Sequence, residues 1–288
     1  MKDDKNLRIL CCVCHFFGQN PLFTGKSSGL NPERRRAIIK SCIEQLKKLG
    51  NIDIKICGID SYSLVDIDVA FPFIIHNPTL IVYECLSYLA SKVKDYDYFI
   101  CIEDDIFLPE ETFRNVVEFD KHSLLNEILH PNRLEKDNDG AIKCIDTSVI
   151  SLWTYQYRMY KNREIRVAHN PHSGLLIMER RKLEYTLSQI DNSYRGVFIG
   201  KAMESAFAHF HSPFLLYRFY QDLSFHHVLH MDNWIPDINM SKDSEKAGTK
   251  DTDIDKSVLM EKSRLQMKDF MPPVLYKAKA YVKKLLNY

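Results

Sequence analysis

Apolar residues along the chain fall into two alternating patterns: short unbroken runs, and longer stretches with helical spacing. The first run, Arg8 to Phe17 (RILCCVCHFF), has the continuity of a central parallel strand and stops at Gly18, Gln19, Asn20 and Pro21. Asn31 followed by Pro32 is a helix cap and first-turn pair. Ile38, Ile39, Cys42, Ile43, Leu46 and Leu49 then keep helical spacing up to Gly50, which predicts a helix over 32–49. Ile52, Ile54, Ile56 and Ile59 alternate with polar or small residues as a second strand. Asn77-Pro78 repeats the cap signature before a helix to Lys94 whose inner face is Leu80, Ile81, Cys85, Leu86 and Leu89. A third strand follows at Tyr98–Ile102. This β-α-β-α-β order implies right-handed crossovers and a mostly parallel sheet.

That third strand leads directly into Glu103, Asp104 and Asp105, and a second apolar step ends at Pro109. In an open α/β sheet the C-terminal ends of the strands are where ligands bind, and clustered carboxylates repel unless a cation or hydroxyl groups compensate. Beyond Pro109 the pattern predicts a helix over 110–119, then a polar region to Ala141 read as loop and short helices, then an aromatic segment with Trp153, Tyr155, Tyr157 and Tyr160. That segment suits either core packing or a platform on which sugar rings stack. His169 to Met178 reads as a turn into a strand, with Gly174 where a backbone could approach a ligand. Helices are predicted over 179–190 and 201–210, the second carrying Glu204 near its start, and a strand over 215–220. His226, His227 and His230 follow.

Composition narrows the chemistry. The chain has 288 residues, and Lys+Arg 39 against Asp+Glu 38 leave a net charge of +1, which gives no global attraction to nucleic acid. Charge is unevenly placed. Residues 256–288 carry eight basic residues against Glu261 and Asp269, or +6, so the remainder is −5. Within that segment, Val274, Leu275, Tyr281, Val282, Leu285 and Leu286 are set against Lys277, Lys279, Lys283 and Lys284. A short basic amphipathic helix of that kind suits an anionic membrane surface, or packs back on the domain. Residues 241–256 are almost wholly polar and read as a linker or loop.

The eight cysteines lie mostly in apolar runs, the usage of reduced thiols in a cytoplasmic protein. The opening MKDDKNL is not a secretory leader, and no stretch is apolar enough to span a membrane. Cys11-Cys12-x-Cys14 with His15 lacks the second ligand pair of a zinc finger. Gly25-Lys26-Ser27 lacks the glycine of a phosphate loop, because Asn20 stands at that position.

With these residues in view, the chain resembles the GT-A glycosyltransferases. Their DxD-type motif ends a sheet strand and holds Mn²⁺ or Mg²⁺ on a nucleotide diphosphate sugar, and Glu103-Asp104-Asp105 is similar to its EDD variant. Further along, Ser173-Gly174-Leu175 looks like the glycine-containing loop near the donor sugar. Met203-Glu204-Ser205 is similar to the acidic helix start that supplies the base in inverting members, although Ser205 breaks the usual acidic pair. His226-His227 falls where a late metal-binding histidine is expected. The resemblance implies Asp105 and His227 as metal ligands, with His226 and His230 as the other candidates in the cluster. It implies Glu103, Asp104, Ser173 and Gly174 as donor-binding residues and Glu204 as catalytic base.

The expected architecture is therefore α/β and GT-A-like: a Rossmann-type, mostly parallel central sheet flanked by helices, with a short basic C-terminal helical tail. Residues 1–240 form the catalytic domain (1–109 nucleotide-binding, 110–240 acceptor), 241–256 the linker and 257–288 the tail. The expected activity is metal-dependent, inverting transfer of a sugar from a nucleotide diphosphate donor to a hydroxyl of a glycan or lipid-linked acceptor. It would take place in the cytoplasm, with contact to the inner membrane face through 272–288. A nucleotidyltransferase, a phosphohydrolase and a non-catalytic α/β binding protein are the alternatives.

Overall fold

The computed structural model of the protein describes residues 6–18, 32–72, 80–136, 140–144, 153–168, 173–199 and 202–232. In order, the first half contains β1 (Ile9–Cys14), α1 (Pro32–Leu46), β2 (Ile52–Gly58), β3 (Val69–Ala70), α2 (Ile81–Ser91), β4 (Tyr98–Glu103), β5 (Ile106–Phe107) and α3 (Glu110–Asp120). The second half contains β6 (Glu127–Leu129), β7 (Asn132–Lys136), β8 (Ile142–Cys144), β9 (Trp153–Tyr160), β10 (Arg163–Ala168), β11 (Leu175–Glu179), α4 (Arg180–Gln189), α5 (Ala202–His211), β12 (Leu215–Phe219) and β13 (His227–His230).

The main sheet has the order β11-β4-β1-β2-β3. β1 pairs in parallel with β2 and β4, β2 pairs in parallel with β3, and β11 lies antiparallel to β4 at the edge. β1, β4 and β11 are nearly continuous apolar runs because helices cover both faces, whereas β2 alternates apolar and polar residues. Tyr98, Ile100 and Ile102 of β4 pack with Leu46 of α1 and with Phe113 and Val116 of α3. Phe99 and Cys101 point the other way, against Leu86 of α2, Leu183 of α4 and Phe207 of α5. The fold is thus α/β, with a mostly parallel sheet between two helical layers. Among the described residues no helix is long and apolar enough to cross a membrane.

The cysteines alternate between these layers: Cys11 faces the α1 side, while Cys12 and Cys14 face the α2 side. Alternation keeps the three thiols from closing on one ion. Seven of the eight cysteines are buried.

Two smaller mixed sheets, β6-β12-β10-β9 and β5-β13-β7-β8, correct the expectation of loop and short helices after α3. β7 (NRLEK) has little apolar character, yet Asn132, Leu134 and Glu135 are buried. Its polar side chains find partners inside: Asn132 Nδ2 donates to the carbonyls of Phe219 (3.0 Å) and Leu223 (3.2 Å). The histidine run likewise becomes strand β13, parallel to β7 and antiparallel to β5.

The loop of 19–31, the caps at Asn31 and Asn77-Pro78, the turn residues 169–172, the polar stretch 241–256 and the basic tail 257–288 lie outside the described residues.

Candidate functional site

β1 and β4 run in parallel, so their C-terminal ends deliver His15 and the Glu103–Asp105 triplet to one edge of the main sheet. All three carboxylate residues are buried there. Helix α1 brings Arg35 across them. Its guanidinium pairs with Asp104 Oδ1, with Asp105 Oδ2 at 2.9 Å and with Asp232 Oδ2 at 3.2 Å. Burial opposes the charge on Arg35, but Asp104 and then Asp105 outweigh it and hold the guanidinium firmly protonated.

Asp104 has a second partner: His15 Nδ1 donates to its Oδ2 at 2.5 Å, while His15 Nε2 accepts the Leu64 N–H at 3.0 Å. The backbone donor fixes the Nδ1–H tautomer, and His15 thereby orients Asp104.

Asp105 meets His230. The pairing of β13 with β5 sets His230 opposite Ile106, and the Met231 N–H bonds the Asp105 carbonyl at 2.8 Å. His230 Nε2 lies 3.5 Å from Asp105 Oδ2, and its Nδ1 donates to Glu135 Oε1 at 2.5 Å. Burial works against a charged imidazole, but Asp105 and then Glu135 push it up to about 10. Asp105 would itself be raised by burial, but Arg35 and His230 hold it well below the usual carboxylate range.

Glu103 behaves oppositely. Burial first, then the charge of Asp105, push it up to about 8. Among the described residues, Glu103 Oε1 and Asp105 Oδ1 are buried without a hydrogen-bond partner. Such atoms are costly unless a cation or donor arrives from outside the chain.

Gly174 closes the back of the site. Its φ is +72°, and a Cβ there would lie 2.6 Å from Ile106 Cγ1 and 3.4 Å from Glu103 Cδ. Its carbonyl accepts the Glu103 N–H at 2.8 Å. Ser173 is turned inward: its hydroxyl donates to the Pro131 carbonyl (2.8 Å) and accepts from Arg218 Nη2 (2.9 Å).

The structure therefore brings Glu103, Asp104, Asp105 and Gly174 together, with Ser173 bracing Gly174 from behind. It does not bring His227 to Asp105. His227 lies three residues before His230 on β13, where alternate side chains take opposite faces, and its Nδ1 is 2.6 Å from the Ser224 carbonyl. Glu204 is half-buried in the first turn of α5, which packs on α2, in the layer opposite Arg35. Arg35, Glu135, His230 as the partner of Asp105, and Asp232 were not singled out in the sequence, and His15 entered only beside the cysteines. The one local signal was the run Arg34-Arg35-Arg36 at the start of α1.

His226 is wholly buried, as is His211 of α5, and both lie near Arg218. Burial pushes each down to about 3, with Arg218 adding to the shift of both and the neighbouring His227 to that of His226. In the unfolded chain each would take up a proton near its ordinary value of 6.5. The unfolded state thus binds more protons as pH falls from about 6.5 to about 3, and stability falls by roughly 1.4 kcal/mol per pH unit for each histidine. Denaturant midpoints measured across that window should show the slope, and His211→Gln with His226→Gln should flatten it.

The chain matches no family model and none of the curated proteins. Among solved structures it is similar to the crystal structure of A197 from STIV, at 12% identity over 79% of this chain and 95% of that one, with a TM-score of 0.36. A score that low carries no argument about fold or function.

Proposed function

We propose that the protein is a metal-dependent glycosyltransferase of GT-A type that uses a nucleotide diphosphate sugar as donor. The observation that carries this reading is the demand for positive charge at the end of β4. Three carboxylates, from Asp104, Asp105 and Asp232, share one guanidinium, and buried oxygens of Glu103 and Asp105 are left without partners.

Among the described residues no three His, Cys, Asp or Glu side chains converge as a ready-made metal cage. A Mn²⁺ or Mg²⁺ that bridges a diphosphate does not need one. Such hard cations take one or two protein ligands and complete their shell from phosphate oxygens and water. Asp105 fits the role through its unpartnered Oδ1, with His230 as the adjacent nitrogen donor in place of His227. A divalent cation on Asp105 would replace the imidazolium proton as counter-charge. When bound, it supplies charge neutralisation to a departing nucleoside diphosphate.

The chain's own residues do the rest. Arg35 and His15 hold Asp104 in place. The Phe16 and Tyr62 rings, stacked at 5.3 Å beside the end of β1, offer a flat surface for a nucleobase. In the transfer, an acceptor hydroxyl oxygen bonds to the anomeric carbon as the bond to the diphosphate breaks, and the hydroxyl proton passes to a carboxylate. The carboxylate that takes this proton is left unassigned, because Glu204 stands on α5 in the layer opposite Arg35.

The test is a thermal-shift screen of nucleoside diphosphates with Mn²⁺, followed by release of nucleoside diphosphate from matching nucleotide sugars. Stabilisation by at least one nucleoside diphosphate only when Mn²⁺ is present is the expected result. Flat responses to every nucleotide would sink the reading.

A further inference from the structure

The β9–β10 hairpin turns through Lys161 and Asn162, both at positive φ (49° and 58°), the type of two-residue turn that fixes hairpin register. That register sets Tyr157 opposite Arg166, and Arg166 opposite Arg218 of β12. Gln156 and Arg158 reach the inner face, towards Tyr217 and Glu127. Tyr155, Tyr157 and Met159 therefore stand on the outer face, 100%, 62% and 62% exposed. The Arg166 guanidinium lies 3.7 Å over the Tyr220 ring and 5.9 Å over Tyr157, and Trp153 meets Tyr220 edge-on at 5.2 Å. Two rings, Tyr220 and Tyr157, thus flank one planar cation, Trp153 extends the cluster through Tyr220, and Tyr155 stands free beside it on the outer face.

Charge selects the occupant. The hairpin carries Arg158, Lys161, Arg163 and Arg166 against Glu164, a composition that suggests a polyanion. The placement of those groups argues otherwise. Arg158 is bound to Glu127, Lys161 to Asn115 and Arg163 to Asp222, and Arg166 pairs with Glu164 on the aromatic face itself. On the outer face the Arg166–Glu164 pair leaves no net charge, while Lys161 at the turn keeps its charge against the Asn115 amide. Aromatic rings with a paired guanidinium and carboxylate suit a neutral saccharide, whose C–H faces stack on the rings and whose hydroxyls bond the planar polar groups.

The face is linked to the candidate site through the interior: Arg218, paired with Arg166, is wholly buried and bonds the buried Ser173, whose neighbour Gly174 abuts Glu103. Two strand spacings, about 10 Å, separate Arg218 from Tyr157.

We propose that this face, Trp153, Tyr155, Tyr157, Arg166 and Tyr220, binds a neutral oligosaccharide on the acceptor side of the site. The proposal rests on the glycosyltransferase reading. It is tested by affinity chromatography of the full chain on neutral hexasaccharides of glucose, mannose and galactose, with a single-stranded RNA oligonucleotide and light scattering as controls. At least one hexasaccharide should be retained, and Tyr155→Ala with Tyr157→Ala should weaken retention at least tenfold while sparing the response to nucleoside diphosphate and Mn²⁺. Asp105→Asn should keep retention and lose that response. The surface is overturned if no hexasaccharide is retained, if the double variant retains it unchanged, or if the double variant instead abolishes RNA binding or self-association. Retention without any nucleotide response would leave the surface standing and sink the transferase. A nucleotide response without retention would do the reverse.

Discussion

Asp105→Asn is expected to lower nucleotide-sugar turnover by at least about a thousandfold, the scale of losing a charge-stabilising group at a reacting centre. The substitution preserves shape and removes only charge, so it isolates what that charge does. In the folded protein Asp105 answers two cations at once, Arg35 at 2.9 Å and His230 at 3.5 Å. Breaking a buried pair from one side costs about 3–5 kcal/mol, so the variant should also melt earlier. A readout that does not depend on activity comes from His230. Its imidazole is pushed up to about 10 against burial, chiefly by Asp105. In the variant it should titrate back towards the ordinary histidine range, visible by NMR. Unchanged turnover with a shifted His230 would leave Asp105 a purely structural residue.

The parts of this arrangement that were legible in the sequence are those whose signal is local. Five β-forming residues directly before Glu103 announced a buried strand ending in carboxylates, and the helices flanking the sheet followed from apolar spacing. Partners were illegible because they are distant: His15 and Asp104 are 89 residues apart, Arg35 and Asp105 70, and His230 and Glu135 95. The choice between His227 and His230 turned on strand register, where one residue reverses the face a side chain takes. β7 was missed because Asn132 and Glu135 look solvated in sequence and are instead buried, with Asn132 Nδ2 bonded to backbone carbonyls and Glu135 Oε1 to His230. The β9–β10 turn carries Lys-Asn, not the Asn-Gly that marks such turns, so its aromatic residues could be read as core or surface.

Arg35→Met should produce the largest change in stability, and the direction in which it can be reversed is diagnostic. The side chain is only 12% exposed, and it is the shared counter-ion of Asp104, Asp105 and Asp232. Methionine keeps much of the apolar stem but leaves three carboxylates with His15, His230 and the more distant Arg34 beside them, a loss of about 3–5 kcal/mol at neutral pH. The sign of the pH dependence inverts at Asp105. In the native protein its carboxyl is held low, so its contribution is present above the ordinary aspartate range and lost as pH falls. In the variant the uncompensated carboxyls are held high, so the deficit relative to wild type should shrink on acidification. Taking the difference from wild type cancels the contribution of His211 and His226. A divalent cation should act as acid does. At a hundred times its dissociation constant a bound ion adds about 2.7 kcal/mol, which for a protein of this size is a rise of several degrees in Tm. Millimolar Mn²⁺ should therefore raise the Tm of Arg35→Met clearly more than that of wild type, where the guanidinium already occupies the carboxylates. No Mn²⁺-dependent shift in either protein would mean that the end of β4 has no demand for a cation beyond Arg35, and the metal-dependent reading would fall with it.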